Sequence, residues 1–398
     1  MQDFVVHIPT RLFFGPAYRD EFIGAVAALG SKVLVVVGGG SIRRLGYLDP
    51  VLEALRSAGV EPVEFAGIEA NPQAATIDRG AALARECGAD AVLAFGGGSV
   101  MDAAKAIAAL RAHGEPEIWP FVLGQPRAGE LTRALPLAAI PTTAATASEV
   151  TPYAVISNSG EKGKSVIAHD AFKPAVAWLN PAFTVDLPET TTCDGAADIL
   201  SHVFENHLLG GDDSPLADGY SETVMRVVIE TLPRLLSDPR DEALRGRLLW
   251  ASTMALNGMQ LAGRQPAEFV LHSMEHALSG FRHDLAHGRG LATLYPAYFR
   301  WLINHDRGVE RLARLGRVLF DLGSSGEDKA TAFKFVGKFE QWLEVNQLRQ
   351  GLTDLGFDPA DYPAIAAYCV KTYGDGQQLQ ALGPLTAYEI EEIFKACG

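Results

Sequence analysis

Four of the ten histidines of the chain lie in one short segment, HSMEHALSGFRHDLAH, which ends at His287. His272 and His276 are four residues apart in it, so they share one face if the segment is helical. An earlier segment, ADILSHVFENH, carries Asp198 and His202 at the same spacing. Neutral imidazoles together with a carboxylate form a tight site for Fe²⁺ or Zn²⁺. The two segments therefore predict a divalent metal site built on helices.

Spacing alone does not choose the ligands of this site. The candidates are Asp198, His202, His207, His272, His276, His283 and His287. Glu275 precedes the second histidine of HSMEH and does not follow the first, so the segment does not match the HExxH pattern of zinc proteases. A single histidine is usually a structural or surface residue. Clustering near an aspartate at helical spacing favours the metal site over that alternative.

A glycine run could bind a phosphate group. The apolar segment AVLAF ends at Gly96, and Gly97, Gly98 and Ser99 follow it before a helical segment. Glycines let a ligand approach the backbone closely, and the amides at a helix N-terminus favour pyrophosphate. The run matches neither GxGxxG nor GxxxxGK[ST], so a tight turn without a ligand stays an alternative.

A second glycine run bears on the choice of dinucleotide. Gly39, Gly40 and Ser41 follow the first apolar strand, where many sites carry an acid that binds the ribose 2′-hydroxyl. Arg43 and Arg44 come next and could attract a 2′-phosphate. This favours NADP(H) over NAD(H), which stays possible; the arginines could also simply lie in solvent on a helix.

A third loop, PTTAATASEVT, is rich in hydroxyl groups that suit ribose and phosphate contacts. Its threonines are Thr142, Thr143, Thr146 and Thr151. Such clusters are also common loop material, so this loop by itself is weak evidence for a ligand.

The elements around these loops predict an α/β domain. Apolar strands are expected at 33–37, 62–67, 91–98 and 135–143, with helices at 48–59 and 74–87. Strands that alternate with helices form a parallel sheet. The segment FVVHIPTRLFFG near residues 4–15 is expected to form a strand pair at the edge of the domain.

After Pro188 the pattern is helical, with apolar residues at three- and four-residue spacing. Helices are expected at 192–209, 216–237, 241–262, 266–280 and 288–304, with several more to the end. A chain of 398 residues suits two domains. We therefore predict a dinucleotide-binding α/β domain with a parallel sheet at 1–187 and an all-helical, metal-binding domain at 188–398.

Composition narrows the function classes. A formal net charge of −14 argues against a nucleic-acid partner and against an anionic membrane surface. The four cysteines are far apart, which indicates reduced thiols and a cytoplasmic protein. Neither a signal peptide nor a transmembrane run is evident in the sequence. An exposed edge strand at 4–14 would need a partner, which suggests a homodimer.

Four motifs in this order, GGGSVMDAAK, PTTAATASEVT, ADILSHVFE and HSMEHALSGFRHDLAHG, resemble the iron-containing (group III) alcohol dehydrogenases. The likeness covers most of the chain, and GGGS after the first strand is most similar to the NADPH-using butanol dehydrogenase branch. The resemblance implies the metal ligands Asp198, His202, His272 and His287. It implies that His276 faces the nicotinamide or the substrate. His283 stays a rival to His287, because the last two ligands are one residue further apart than in many members.

The same resemblance implies a set of residues that contact the dinucleotide. They are Gly97, Gly98, Ser99 and Asp102 around the pyrophosphate, with Asn71, Thr142, Thr143, Thr146, Thr151 and Lys164. The chain departs from the family at Asn180, where an aspartate is common before the proline. That position concerns a turn and not the chemistry.

The expected function is a metal-dependent, NAD(P)H-linked alcohol dehydrogenase or aldehyde reductase. It would transfer hydride between nicotinamide C4 and a primary alcohol or aldehyde, with the metal as a Lewis acid on the substrate oxygen. The alternatives are a glycerol dehydrogenase-like polyol oxidoreductase, a dehydroquinate-synthase-like lyase, and a non-catalytic metal- or nucleotide-binding protein. The helical half would suit a medium-chain or aromatic aldehyde.

Overall fold

The computed structural model describes residues 2–209, 214–264, 269–323 and 326–398. The chain divides into two compact units. The first, Ile8–Leu187, is called the α/β unit, and the second, residues 188–398 with the N-terminal residues through His7, is called the helical unit.

The α/β unit holds eight strands and five helices. The strands are β1 (Arg11–Phe14), β2 (Lys32–Gly38), β3 (Glu61–Ile68), β4 (Ala91–Gly96), β5 (Leu137–Pro141), β6 (Tyr153–Asn158), β7 (Gly163–Ala168) and β8 (Val176–Leu179). The helices are α1 (Arg19–Ala27), α2 (Ser41–Arg44), α3 (Leu48–Ser57), α4 (Ala74–Glu86) and α5 (Gly98–His113). Six strands form a parallel sheet in the order β1-β8-β5-β4-β2-β3, and β6 and β7 form an antiparallel pair. The predicted parallel sheet is confirmed.

The sheet register brings the three predicted loops to one edge. Val37 near the end of β2 pairs with Phe95 of β4, and Gly96 pairs with Pro141 of β5. Because parallel strands end at the same edge, the segments that follow β2, β4 and β5 are neighbours there. The chain continues from β2 to β3 on one side and from β4 to β5 on the other, so its connections diverge between the neighbouring strands β2 and β4. Ligands bind open α/β sheets at such a point.

The helical unit holds nine helices and one hairpin in its described part. The helices are α6 (Glu189–Leu209), α7 (Pro215–Ser237), α8 (Glu242–Ala255), α9 (Val270–Phe281), α10 (His287–Asn304), α11 (Val309–Phe320), α12 (Asp328–Val345), α13 (Tyr362–Tyr373) and α14 (Ala387–Ala396). The hairpin is β9 (Gln378–Ala381) with β10 (Gly383–Thr386). The prediction of a helical second half is confirmed, and the four-residue strands of the hairpin are too short to show a period in the sequence.

Two local predictions are wrong. The strand pair expected near residues 4–15 is a single strand, β1. The side chains of residues 4–9 are exposed, and Pro9 lacks the amide that the hydrogen-bond ladder of a strand needs. The helix expected at 241–262 ends at Ala255, and Gly258 with φ +95° separates it from a 3₁₀ turn. Residues 265–268, where another predicted helix would begin, lie outside the described residues.

Candidate metal centre and cofactor-binding loops

Helix α6 presents an aspartate and a histidine on one buried face. Asp198 and His202 are one turn apart, and the Oδ1 atom of Asp198 lies 3.6 Å from the Nε2 atom of His202. Only 3% of the Asp198 side chain and 6% of the His202 side chain are exposed. The i, i+4 spacing therefore places both groups together, as the helical pattern requires.

Two further helices bring an imidazole to the same carboxylate. His272 lies in the first turn of α9, and His287 is the first residue of α10. The Nε2 atom of each lies 3.6 Å from the Oδ1 atom of Asp198. A tetrahedral ion with ligand bonds of about 2.0–2.2 Å holds its ligand atoms roughly 3.4 Å apart. The spacing from Asp198 to the three imidazoles fits one cation.

Two buried glutamates orient the imidazoles. The Nδ1 atom of His272 lies 2.5 Å from the Oε1 atom of Glu205, and the Nδ1 atom of His287 pairs with the Oε2 atom of Glu275. Glu205 also accepts a hydrogen bond of 2.8 Å from the backbone amide of Leu271. A carboxylate on Nδ1 fixes the ring and leaves Nε2 to bind an ion.

The electrostatics of the centre favour a bound cation. Burial opposes ionisation of Asp198, but His202 and the other imidazoles outweigh it and lower the pKa of this carboxyl. Burial lowers the pKa of His202 to about 3, so this imidazole is neutral. Burial also disfavours a charge on His272, but Glu205 and Asp198 raise its pKa to about 10. The centre thus holds a carboxylate and attracts positive charge.

Unsatisfied atoms give an independent test of the fit. Asp198 Oδ1 and His272 Nε2 are buried and have no hydrogen-bond partner. Buried polar atoms are almost always paired, so atoms left unpaired at one point need an explanation. A divalent cation supplies it, because oxygen and neutral imidazole nitrogen are ligands that Fe²⁺ and Zn²⁺ accept.

The other candidate histidines have different surroundings. The ring of His276 lies 5.3 Å from that of His287, 6.0 Å from that of His272 and 5.7 Å from that of Tyr373. His207 is buried with its Nε2 atom 3.4 Å from Glu222. The described part of the chain holds two groups of possible metal-ligating side chains, Asp198 with His202 and His272, and Glu275 with His276 and His287. His283 belongs to neither group. The geometry therefore favours His287 over His283.

The glycine run after β4 packs tightly on the threonine-rich loop. Gly97 precedes α5, whose first residue is Gly98. A Cβ atom on Gly98 would lie 2.5 Å from the Cγ2 atom of Thr146, and one on Gly97 would lie 3.2 Å from the Oγ1 atom of Thr143. The glycines thus allow this close approach, and the free amides of α5 lie beside the two threonines. Ser99 is half-buried in the first turn of the same helix.

Asp102 is held by the same loop. Its carboxylate accepts hydrogen bonds of 2.6 Å from the Ser148 hydroxyl and 3.0 Å from the Val155 amide. Burial raises the pKa of Asp102, and nearby Lys105 offsets part of this effect. Thr151 is buried, and its hydroxyl accepts a hydrogen bond of 3.2 Å from the ammonium group of Lys105.

The remaining candidates also lie in the α/β unit. Thr142 donates its backbone amide to the carbonyl of Gly96 at 3.0 Å, which ties the loop to the end of β4. Lys164 is buried on β7, and its charge acts on Asp102. Asn71 follows β3 and has φ +54°, in the left-handed region. The structure thus groups most of the predicted cofactor residues around α5 and its neighbouring loops.

The loop after β2 corrects one argument from the sequence. Gly40, with φ +95°, leads into α2, which begins at Ser41. Arg43 on α2 forms ion pairs of 2.8 Å with Asp49 and 2.5 Å with Glu64. Carboxylates therefore lie near this loop, although none follows β2 directly in the sequence, and they occupy one of the two arginines expected to attract a 2′-phosphate. Glu64 is distant in sequence and reaches Arg43 only because β3 pairs with β2.

Sequence reasoning missed three charged residues. Glu205 and Glu275 each lie three residues after a candidate ligand histidine, and Lys105 lies three residues after Asp102. The signal that could have found them was therefore this spacing of three residues, which places two side chains on one face of a helix. It could not show that Glu205 contacts His272, which belongs to a different helix.

Comparison with known proteins identifies the family. Residues 9–181 match the family described as iron-containing alcohol dehydrogenase, and residues 192–398 match the C-terminal part of the Fe-containing alcohol dehydrogenase family. The chain is 35% identical over 397 residues to NADH-dependent butanol dehydrogenase B of Clostridium acetobutylicum, covering 99% of each chain. It is 32% identical to the NADPH-dependent aldehyde reductase YqhD of Escherichia coli, covering 92% of each.

A solved structure agrees with this result. The crystal structure of NADH-dependent butanol dehydrogenase A from Thermotoga maritima matches with a TM-score of 0.93 and 31% identity, covering 100% of this chain and 99% of the other. The chain therefore belongs to the iron-containing alcohol dehydrogenase family, and the predicted resemblance is confirmed. It is an NAD(P)H-linked alcohol dehydrogenase, an oxidoreductase. None of the helices in the described residues has the length and apolar character needed to cross a membrane.

Proposed function

We propose that the protein reduces medium-chain or aromatic aldehydes to primary alcohols with NADPH. We assign its one divalent cation to Asp198, His202, His272 and His287. One observation carries this assignment: three imidazole Nε2 atoms, from three helices, each lie 3.6 Å from one buried, unpaired carboxylate oxygen.

Each residue has a defined task at this centre. Asp198 supplies the negative charge, and the three imidazoles would supply nitrogen atoms once the cation displaces the proton that Glu205 and Asp198 favour on His272. Glu205 and Glu275 accept the Nδ1 protons and so keep two of the rings in the orientation for binding. When bound, the cation supplies Lewis acidity toward the substrate oxygen, and the dinucleotide supplies the hydride.

His276 is the proposed catalytic residue that carries a proton. Its ring stacks on that of His287 at 5.3 Å and 28°, so it lies beside the ligand with the greatest exposure, 24%. A histidine near the most open ligand is suited to pass a proton between the substrate oxygen and water. His276→Asn would therefore lower kcat and leave the cation content unchanged.

The dinucleotide is assigned to the α/β unit. The pyrophosphate would lie at the N-terminus of α5, where free amides and the helix dipole favour an anion. The proposed contacts are Gly39, Gly40, Ser41, Asn71, Gly97, Gly98, Ser99, Asp102, Thr142, Thr143, Thr146, Thr151 and Lys164. The grouping of three loop segments at one edge of the sheet supports this set.

The preference for NADPH over NADH rests on Arg44. This arginine is exposed, and its Nη1 atom lies 3.6 Å from the position that a Cβ atom on Gly40 would take. Arg43 is held by Asp49 and Glu64, so it is less available to a 2′-phosphate. Arg44→Ala should reduce kcat/KM for NADPH by about tenfold, the effect of one charge-assisted bond, and leave that for NADH nearly unchanged.

Two aromatic rings support an apolar substrate. The Phe269 ring lies 5.3 Å from that of His272, and the Tyr373 ring lies 5.7 Å from that of His276. Aromatic side chains at an imidazole cluster provide an apolar wall for a carbon chain or a ring. We take Fe²⁺ as the cation on the family relationship and Zn²⁺ as its rival, because the ligand set accepts both.

Metal analysis and a spectrophotometric assay test the proposal together. The purified protein should hold one Fe²⁺ or Zn²⁺ per chain and should oxidise NADPH at 340 nm with butanal. His287→Ala should lose both properties, and the matched control His283→Ala should keep both. Retention of the cation by His287→Ala, with its loss from His283→Ala, would reverse the ligand assignment.

Assembly and location stay predictions. Strand β1 is an edge strand, and Phe4 and Val5 in the preceding segment are 49% and 92% exposed, so we propose a homodimer that covers this region. Light scattering of the purified protein tests it. The cytoplasmic location rests on the cysteines, all four of which are free thiols.

A further inference from the structure

We propose that Lys105 is a positioning residue for the dinucleotide. In this proposal, which rests on the proposed cofactor site, Lys105 holds the segment 141–155, here called the threonine loop, against α5. The loop and helix then stay in the conformation that binds the cofactor.

The ammonium group of Lys105 is saturated by this segment. It donates hydrogen bonds of 2.7 Å to the Ser148 hydroxyl, 3.2 Å to the Thr151 hydroxyl and 2.8 Å to the Tyr153 carbonyl. An ammonium has three donors, so all of them are used. Lys105 is only 1% exposed, and water therefore cannot replace these partners readily. One buried side chain thus fixes three points along the threonine loop.

Asp102 completes the connection from the same helix. It lies three residues before Lys105, and it accepts hydrogen bonds of 2.6 Å from the Ser148 hydroxyl and 3.0 Å from the Val155 amide. The Ser148 hydroxyl therefore joins two opposite charges of α5. Because the buried charges of Lys105 and Asp102 offset each other, loss of either one disturbs the hydrogen bonds that the other makes to the threonine loop.

The backbone of the loop shows that it is held in place. Ala147, directly before Ser148, has φ +52°, in the left-handed region that favours glycine. A residue keeps such a conformation only where its surroundings determine it. Thr146, on the other side of Ala147, packs against the first residue of α5, Gly98. Along the chain, Ala147 thus lies between Ser148, which contacts Lys105, and Thr146, which contacts the helix N-terminus proposed to bind the pyrophosphate.

The charge on Lys105 has a cost that a purely structural role does not explain. Burial lowers its pKa to about 8, and Asp102 and Glu149 offset only part of this effect. An uncharged side chain of similar length would fill the same space without that cost. We therefore infer that the ammonium is retained for the three hydrogen bonds that orient the loop.

Direct binding of the dinucleotide tests this role. The dissociation constant for NADPH would be measured by the fluorescence of the bound nicotinamide, for the wild type, Lys105→Met and the control Lys338→Met. Lys338 is exposed and donates a hydrogen bond of 3.4 Å to the Oε1 atom of Gln341. We expect Lys105→Met to weaken binding by about tenfold or more, the value of a hydrogen bond to a charged group, and the control to match the wild type.

Steady-state kinetics separate positioning from general damage. Lys105→Met should raise the KM for NADPH far more than it lowers kcat at saturating cofactor, and cation content should not change. A folded Lys105→Met protein with wild-type NADPH affinity and a lower melting temperature would overturn the proposal. If Lys105→Met does not fold, Ser148→Ala removes one acceptor of Lys105 at a residue outside the proposed cofactor contacts. It should still weaken NADPH binding, and unchanged affinity in it would overturn the proposal.

The outcome also separates this inference from the proposed function. A wild-type protein that binds neither NADPH nor NADH would refute the cofactor site itself. Wild-type binding that is unaffected by Lys105→Met would refute only the role of Lys105.

Discussion

Helix α6 carries two buried histidines whose surroundings differ in one respect. His202 and His207 are five residues apart on the same helix, and each lies beside a buried carboxylate. Around His207 the acids are paired with arginines, whereas around His202 they are paired with imidazoles. The comparison explains why we propose a metal ion at His202 and none at His207.

The cluster at His207 is neutralised by the chain. Asp218 lies 2.5 Å from Arg264 and 3.1 Å from Arg311, and Glu222 lies 2.5 Å from Arg314. We call this group, Asp218, Glu222, Arg264, Arg311 and Arg314, the arginine network. Each carboxylate in it has a guanidinium partner, so no further cation is required.

The cluster at His202 lacks such partners. Across the parts of the chain that the structure describes, every ion pair of Asp198 and Glu205 is with a histidine, and none is with arginine or lysine. Two buried carboxylates without a fixed cation carry an unbalanced charge, which is costly in a protein interior. A divalent ion removes that cost, and this is the physical basis of the proposed centre.

The largest effect should come from the proposed metal centre. His202→Ala removes one ligand and should abolish cation binding, with activity lower by at least about a thousandfold, because Lewis acid stabilisation is worth several kcal/mol. Elemental analysis and the aldehyde reductase assay measure the two losses. A circular dichroism spectrum like that of the wild type would show that the fold is kept. Full activity in the metal-free variant would refute the assignment.

Removing one carboxylate from the arginine network should lower the free energy of unfolding. Asp218→Asn leaves Arg264, whose side chain has 0% exposure, without its carboxylate. Breaking a buried ion pair in this way costs about 3–5 kcal/mol of unfolding free energy. Urea denaturation measures it, with Asp20→Asn as a control, since Asp20 is 79% exposed. Cation content per folded chain should stay at the wild-type value, and a loss of metal without a loss of stability would contradict the comparison.

The pH dependence of stability should also come from the arginine network. Burial opposes ionisation of Glu222, but His207 and Arg314 lower its pKa from 4.5 to about 2. A depressed pKa in the folded state gives stability that is present above pH 4.5 and is lost as the pH falls toward 2. Its size is on the order of 3 kcal/mol. Glu222→Gln should flatten the decline of unfolding free energy between pH 4.5 and 2 in the metal-free protein, and an unchanged slope would exclude this source.

The smallest effect should come from a glutamate that contacts a proposed ligand. Glu205→Gln keeps the shape of the side chain but replaces the carboxylate on the Nδ1 atom of His272. Loss of such a partner typically costs 10–100-fold in metal affinity, or about 1.4–2.7 kcal/mol. Competition with a chelator measures this affinity. Equal affinity in the variant and the wild type would show that Glu205 does not orient the ligand.

Local sequence patterns were sufficient where one element carries the whole feature. The apolar runs of β2 and β4 predict buried parallel strands, and the spacing of Asp198 and His202 predicts that they share a face of α6. In each case the distance between residues is set by the geometry of one helix or strand. The same reasoning failed for residues 4–10, because strand formation there depends on a partner that local sequence does not specify.

The sequence by itself determined the alternation of strands and helices, the helical second half and the residues able to bind a metal or a phosphate. Only the tertiary structure decided that His272 and His287 point at Asp198, that His207 belongs to the arginine network, and that Glu64 reaches Arg43. Contacts of this kind join different helices or strands. Their geometry depends on how those elements pack and pair, and the spacing of residues along one element carries no information about it.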